Sequence, residues 1–156
     1  MKQIEDFETI KLKAEQTYKT FGEVYCPYLK EKVIFNSFGL EHLKFKQHRK
    51  ARSEQDQSMR FKLLYLIPEV IKASHTLQGI LETKRFEYIK VNNRWERILK
   101  IVTYYEFIAV IGRNRIKVVI KQIGNNQKIF WSIIPSWGMN KNTMTRILHN
   151  GTLEED

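Results

Sequence analysis

Residues 116–134 read Ile-Lys-Val-Val-Ile-Lys-Gln-Ile-Gly-Asn-Asn-Gln-Lys-Ile-Phe-Trp-Ser-Ile-Ile. Two runs rich in β-branched and aromatic residues flank Gly124-Asn125-Asn126-Gln127, and Asn and Gly suit the positive φ of tight hairpin turns. With Asn125-Asn126 as the turn, Lys121 faces Phe130, Val119 faces Ser132 and Lys117 faces Ile134. Side chains alternate between the faces of a sheet. One face then carries Ile116, Val118, Ile120, Ile129, Trp131 and Ile133, an apolar surface ready to receive helices. The other carries Lys117, Val119, Lys121, Phe130 and Ser132. Cations, a hydroxyl and a ring suit a nucleotide, while the simpler reading is a solvated sheet surface. Lys121 and Trp131 on one face, or His42 far around the molecule from Ser132, would defeat the site model built on this register.

Working outward, Arg85 to Val91 and Trp95 to Val102 flank the turn Asn92-Asn93-Arg94. Tyr104 to Ile111 and Arg115 to Ile123 flank Gly112-Arg113-Asn114. Upstream the period changes to helical. Ile4, Phe7, Ile10, Ala14, Tyr18 and Phe21 share one stripe of a helix over 4–21. Residues 23–27 and 32–36 suit a short hairpin around Tyr28-Leu29-Lys30-Glu31. A short helix follows from Phe38 to Gln47. Ser53 is placed to cap a longer helix reaching Ser74, which Pro68 must kink or end. Helices followed by an antiparallel meander make an α+β fold, N-terminal helices on a C-terminal antiparallel sheet of about four strands. No repeat or linker divides the chain, so residues 1–137 read as one domain. Residues 138–156 read as a tail, with a helical turn near Thr143 to His149.

The formal net charge of +10 points to a polyanionic partner, RNA ahead of DNA. No run of about 18 apolar residues exists, so a membrane is not expected. A single cysteine, Cys26, allows no intrachain disulfide and no Cys-based zinc site, which fits a reducing cytoplasm. Phosphate-loop, dinucleotide, zinc-protease and nucleophile-elbow motifs are absent, and acidic residues do not cluster as a two-metal nuclease requires. Any hydrolytic or transfer chemistry is therefore expected to need neither metal nor cofactor.

Residues 42–52, His-Leu-Lys-Phe-Lys-Gln-His-Arg-Lys-Ala-Arg, hold two of the four histidines and no acid. Proton-transfer groups beside cations are what metal-free phosphodiester chemistry needs. His42 and His48 are the candidates for proton transfer, although six residues apart they do not share one helix face. Lys44, Arg49, Arg52, Arg60 and Lys117 are candidate phosphate contacts, or simply a solvated face, and Phe130 is a candidate stacking ring. His75 reads as a helix-end residue and His149 lies in the tail.

Three ordered segments resemble a known family. They are Val33-Ile34-Phe35-Asn36-Ser37-Phe38-Gly39-Leu40-Glu41-His42-Leu43; then Arg52-Ser53 with Arg60-Phe61-Lys62-Leu63-Leu64; then Val118 to Gly124 with Phe130 to Pro135. Together they resemble phage and mobile-element members of the barnase/EndoU/colicin/RelE-like (BECR) nuclease superfamily. The resemblance implies a four-stranded sheet with a metal-independent endoribonuclease site on its open face, toxin-like or phage-associated, with an antitoxin or immunity protein as partner. It places the histidine of a Gly-x-x-His-Leu element on His42, and the cation and hydroxyl of the paired strands on Lys121 and Ser132. The second histidine of such enzymes has no clear counterpart, His48 or His75 being available. Two further readings stand beside this one, a non-catalytic basic RNA- or DNA-binding module and a protein-binding adaptor.

Overall fold

The computed structural model describes residues 5–46, 50–135, 137–139 and 146–148. Helix α1 (Phe7–Phe21) starts at Asp6, whose carboxylate accepts a hydrogen bond from Thr9 N at 2.8 Å. Its stripe Ile10, Ala14 and Tyr18 is buried. Strands β1 (Glu23–Cys26) and β2 (Glu31–Ile34) form the expected short hairpin. Helix α2 (Ser37–Lys44) is capped by Asn36, which accepts from Phe38 N and Gly39 N. Helix α3 (Glu54–Leu63) is capped by Ser53, which accepts from Asp56 N at 3.1 Å. The single long helix expected here is divided. A 3-10 turn at Leu64–Leu66 leads into α4 (Ile67–Ala73), and Pro68 lies in the first turn of α4, where an amide hydrogen has no helical partner to lose.

Four strands then form a meander, β3 (Gly79–Val91), β4 (Arg94–Ile111), β5 (Asn114–Ile123) and β6 (Ile129–Pro135). Asn92 and Asn93 both have positive φ, 49° and 63°, as a two-residue primed turn requires. β4 runs unbroken through Thr103, where the sequence suggested two strands. Its first part pairs with β3 and its last part with β5, so it serves two neighbours of different reach.

The sheet has six strands, not about four, in the order β1-β2-β6-β5-β4-β3. It is mixed, because β2 runs parallel to β6 through one register pair, Ile34 with Ile129. Beyond Ile129 the β6 edge is taken over by α2 and α3. Strands β7 (Trp137–Met139) and β8 (Arg146–Leu148) form a separate small antiparallel pair. The helical turn expected near 143–149 is therefore extended at 146–148, and its other residues lie outside those described.

The β5–β6 register corrects the expected faces. Lys117 opposes Ile134 and Val119 opposes Ser132 as expected, but a bulge follows, and Ile120 opposes Phe130 while Lys121 opposes Ile129. Trp131 is the extra residue, and from there each side chain changes face. Phe130 enters the helix-covered core, stacked on Phe35 at 5.3 Å. Trp131 instead joins Val102, Tyr104, Val119 and Ile134. Lys121 and Trp131 thus share a face, which overturns the expected division and with it the open-face site model built on Lys121 and Ser132. Nor is this second face open, since Val102, Tyr104, Val119, Ser132 and Ile134 are buried. The β3–β4 hairpin runs past the end of β5, and Arg85 and Glu87 reach back to Tyr104 and Lys121. Its arm therefore curls over this face, as long two-stranded ribbons can.

Gly39 sets the approach of α2 to β6. A Cβ there would lie 2.5 Å from the Phe130 carbonyl oxygen and 2.6 Å from the Tyr18 hydroxyl. Helix propensity alone favours Gly39→Ala by about 1 kcal/mol, whereas overpacking costs about 1–3 kcal/mol. We expect net destabilisation in urea unfolding; a variant more stable than wild type would show that α2 does not rest on β6.

Candidate functional site

The close contact at Gly39 places the next turn of α2 beside Trp131. His42 stacks on the Trp131 ring with centroids 4.0 Å apart and planes at 19°. The Lys121 ammonium lies 4.0 Å from the Trp131 ring centroid and 5.8 Å from that of Tyr104. Both distances are in cation–π range. The same ammonium is 2.9 Å from the Glu87 carboxylate. His42, Trp131, Lys121 and Glu87 border a cleft of about 630 Å³, to which Arg85 also contributes. Phe38, Phe45 and Phe86 add rings to its wall, and Glu41 and Lys46 add charges at the end of α2. The volume is that of a small-molecule or nucleotide site.

Behind His42 lies a buried charge network. Arg52 Nε donates to the His42 carbonyl at 3.0 Å, and Arg52 Nη2 is 3.2 Å from His42 Nε2. A guanidinium only donates, so in this contact Nε2 is placed as the acceptor. Asp56 lies between two arginines. Its carboxylate accepts from Arg60 Nε at 2.7 Å and is 3.6 Å from Arg52 Nη1. Arg60 Nη1 donates to Ser132 Oγ at 2.8 Å and to the Ile133 carbonyl at 3.1 Å. Burial pushes the Asp56 carboxyl up, but the Arg60 hydrogen bond, with the charges of Arg60, Arg52 and Lys46, outweighs it and holds the group below its ordinary value.

Of the residues expected to act, His42 and Lys121 line the cleft together. Ser132 does not; it is 0% exposed and held by Arg60, so it presents no hydroxyl to a ligand. Phe130 is in the core and presents no ring. Arg52 and Arg60 are buried structural cations rather than surface phosphate contacts, because a buried charge must be paired. Lys44 pairs with Glu15 at 2.7 Å, and Lys117 with Glu106 at 3.5 Å. His48 and Arg49 lie outside the described residues. His75 is exposed beyond α4 and away from the cleft lining.

Glu87, Arg85 and Trp131 were not singled out from the sequence. A signal existed for the first two. Leu81, Thr83, Arg85 and Glu87 alternate on the side of β3 that carries Tyr104 and Lys121, and this side is the less exposed one. The 52, 56, 60 spacing of Arg, Asp and Arg is likewise the i, i+4 pattern of helix ion pairs. Trp131 had none, since the bulge depends on tertiary packing.

Among the described residues, no three His, Cys, Asp or Glu side chains group as a metal-holding cluster, and no helix is long and apolar enough to cross a membrane. Compared with protein-family models, curated proteins and solved structures, the chain has no match.

The Asp56 network gives a pH expectation. A carboxyl whose folded pKa is depressed contributes stability above its unfolded pKa of about 3.9 and loses it as pH falls through the folded value. Asp56→Asn should cost about 3 kcal/mol at pH 7, since two buried arginines lose their counter-charge. The loss of stability between pH 7 and pH 3 should also be smaller in the variant than in wild type. Unfolding midpoints at the two pH values measure this, and equal losses would remove the assigned role of Asp56.

Proposed function

We propose that the cleft binds RNA and cleaves it by 2′-OH transesterification without a metal ion. The observation that carries this reading is the Lys121 ammonium held between the Glu87 carboxylate and the Trp131 ring. A proton acceptor, a cation and an aromatic surface meet there in a cleft of nucleotide size. In this scheme Glu87 removes the proton of the ribose 2′-OH, and O2′ attacks phosphorus. Lys121 and Arg85 stabilise the phosphorane charge. The proton for the departing 5′-oxygen comes from Lys121 or from His48, which lies outside the described residues. His42 takes a different part from the proton acceptor expected for it, because Arg52 occupies its Nε2 lone pair. It stacks on Trp131 and holds that ring in place. The family resemblance adds a toxin-like or phage-associated setting in the cytoplasm and a neutralising protein partner.

One observation favours a second reading, an RNA-binding module that does not cut. The central cation of the cleft, Lys121, is already engaged by Glu87 rather than open to a reacting phosphate.

Digestion of total RNA in EDTA distinguishes the two. Wild type should leave 2′,3′-cyclic phosphate or 3′-phosphate ends. Glu87→Gln should slow cleavage by roughly 10²- to 10⁴-fold; its unfolding midpoint should also fall, because buried Lys121 loses its counter-charge, so rates are compared well below that midpoint. RNA that binds and stays intact supports the module. Cleavage that needs added Mg²⁺, or that leaves 3′-hydroxyl ends, would remove the transesterification scheme.

A further inference from the structure

The β3–β4 arm has a second face, turned away from the cleft. Its register sets Lys84 opposite Ile101, Phe86 opposite Leu99, Tyr88 opposite Arg97 and Lys90 opposite Trp95. These side chains point to one side by strand alternation. Phe86, Tyr88 and Trp95 are 57%, 68% and 61% exposed. Such large exposed rings in a row mark an interaction surface.

The charges say which partner fits. Between Lys84 and Ile101 the outward face carries Lys84, Lys90 and Arg97 and no carboxylate. The two acids of that segment, Glu87 and Glu96, lie on the inward side by the same register. Among the described residues, no carboxylate pairs with Lys84, Lys90 or Arg97. Arg97 instead lies over the Phe86 ring at 5.1 Å. Alternate residues along a strand are about 7 Å apart, so Phe86 and Tyr88 are spaced like successive nucleotides of an extended strand. Rings for bases and cations for phosphates are the parts of a single-strand platform. A protein partner would leave three unpaired cations to be matched, and a membrane would offer no series of flat groups to the rings.

We infer that the outward face of the arm binds single-stranded RNA, with Tyr88 and Trp95 as base-stacking rings and Lys84, Lys90 and Arg97 as phosphate contacts. Phe86 belongs both to this face and to the cleft wall. A strand lying on the arm therefore reaches the cleft rim. The inference rests on RNA as partner, as the cleft reading does, but it concerns binding and not cleavage.

The test uses a fluorescent 2′-O-methyl oligouridylate 12-mer, which transesterification cannot cut, and fluorescence anisotropy at about 50 and 200 mM salt. Tyr88→Ala and Trp95→Ala should each weaken binding on the order of tenfold, with far-ultraviolet circular dichroism unchanged. Tyr88→Phe and Trp95→Phe should stay within about threefold of wild type, since a ring remains to stack. Lys84→Ala with Lys90→Ala should flatten the salt dependence. Alanine variants that bind as tightly as wild type overturn the platform and leave the cleft reading standing. So does a result in which they change self-association in sedimentation and not oligonucleotide affinity; the face is then an interface between copies. Arm variants that lose affinity in a protein that cuts no RNA keep the platform and remove the cleft reading.

Discussion

The charge chain Arg52–Asp56–Arg60 is the constraint on which the site depends. β2 leaves β6 after a single register pair, so the outer edge of β6 needs other partners. Arg60 supplies one by donating to the Ile133 carbonyl and the Ser132 hydroxyl. Arg52 binds the His42 carbonyl, one of the carbonyls that a helix end leaves without a partner. Asp56 lets both arginines stay buried. A buried ion network is weak evidence of net stability, since desolvation offsets much of its attraction. Its geometric effect is clear. It ties α2, α3 and β6 together, and this fixes His42 over Trp131.

The bulge at Trp131 decides what that arrangement can do. With regular alternation Trp131 would lie under the helices and Phe130 would face Lys121. One extra residue exchanges them, and bulges commonly re-aim a side chain in this way. Trp131 then has an imidazole stacked on it and an ammonium over its ring. Phe130 fills the core against Phe35 and Tyr18. The same step that spoils the simple face pattern thus builds the cleft.

What the sequence made legible was local. The cap at Ser53, the Asn92-Asn93 turn and the first hairpin follow from side chains that bond to neighbouring backbone or accept positive φ, and helices before a meander indicate α+β. The parallel contact of β2 with β6 rests on one register pair with no local signature. The curl of the arm comes from the mismatch between an 18-residue β4 and a 10-residue β5. Arg52 and Arg60 looked like phosphate contacts because charge is visible in a sequence and burial is not. Lys121 was legible as a face residue, but its partner Glu87 lies 34 positions away on a strand that it does not adjoin.

This pairing bears on how the proposed chemistry would start. Lys121 is buried and already engaged, so it attracts no distant polyanion; the exposed cations of the arm are better placed for capture. At the cleft a phosphate must compete with Glu87 for the ammonium. As it takes Lys121, the phosphate frees the Glu87 carboxylate from its 2.9 Å contact and brings the ribose beside it. Capture of the substrate and release of the proton acceptor would then be one movement. Trp131 assists the exchange, since the ring face continues to favour the cation while the ammonium changes partners. An ion pair that looks like a finished structural contact is, on this reading, the contact that an incoming phosphate has to open.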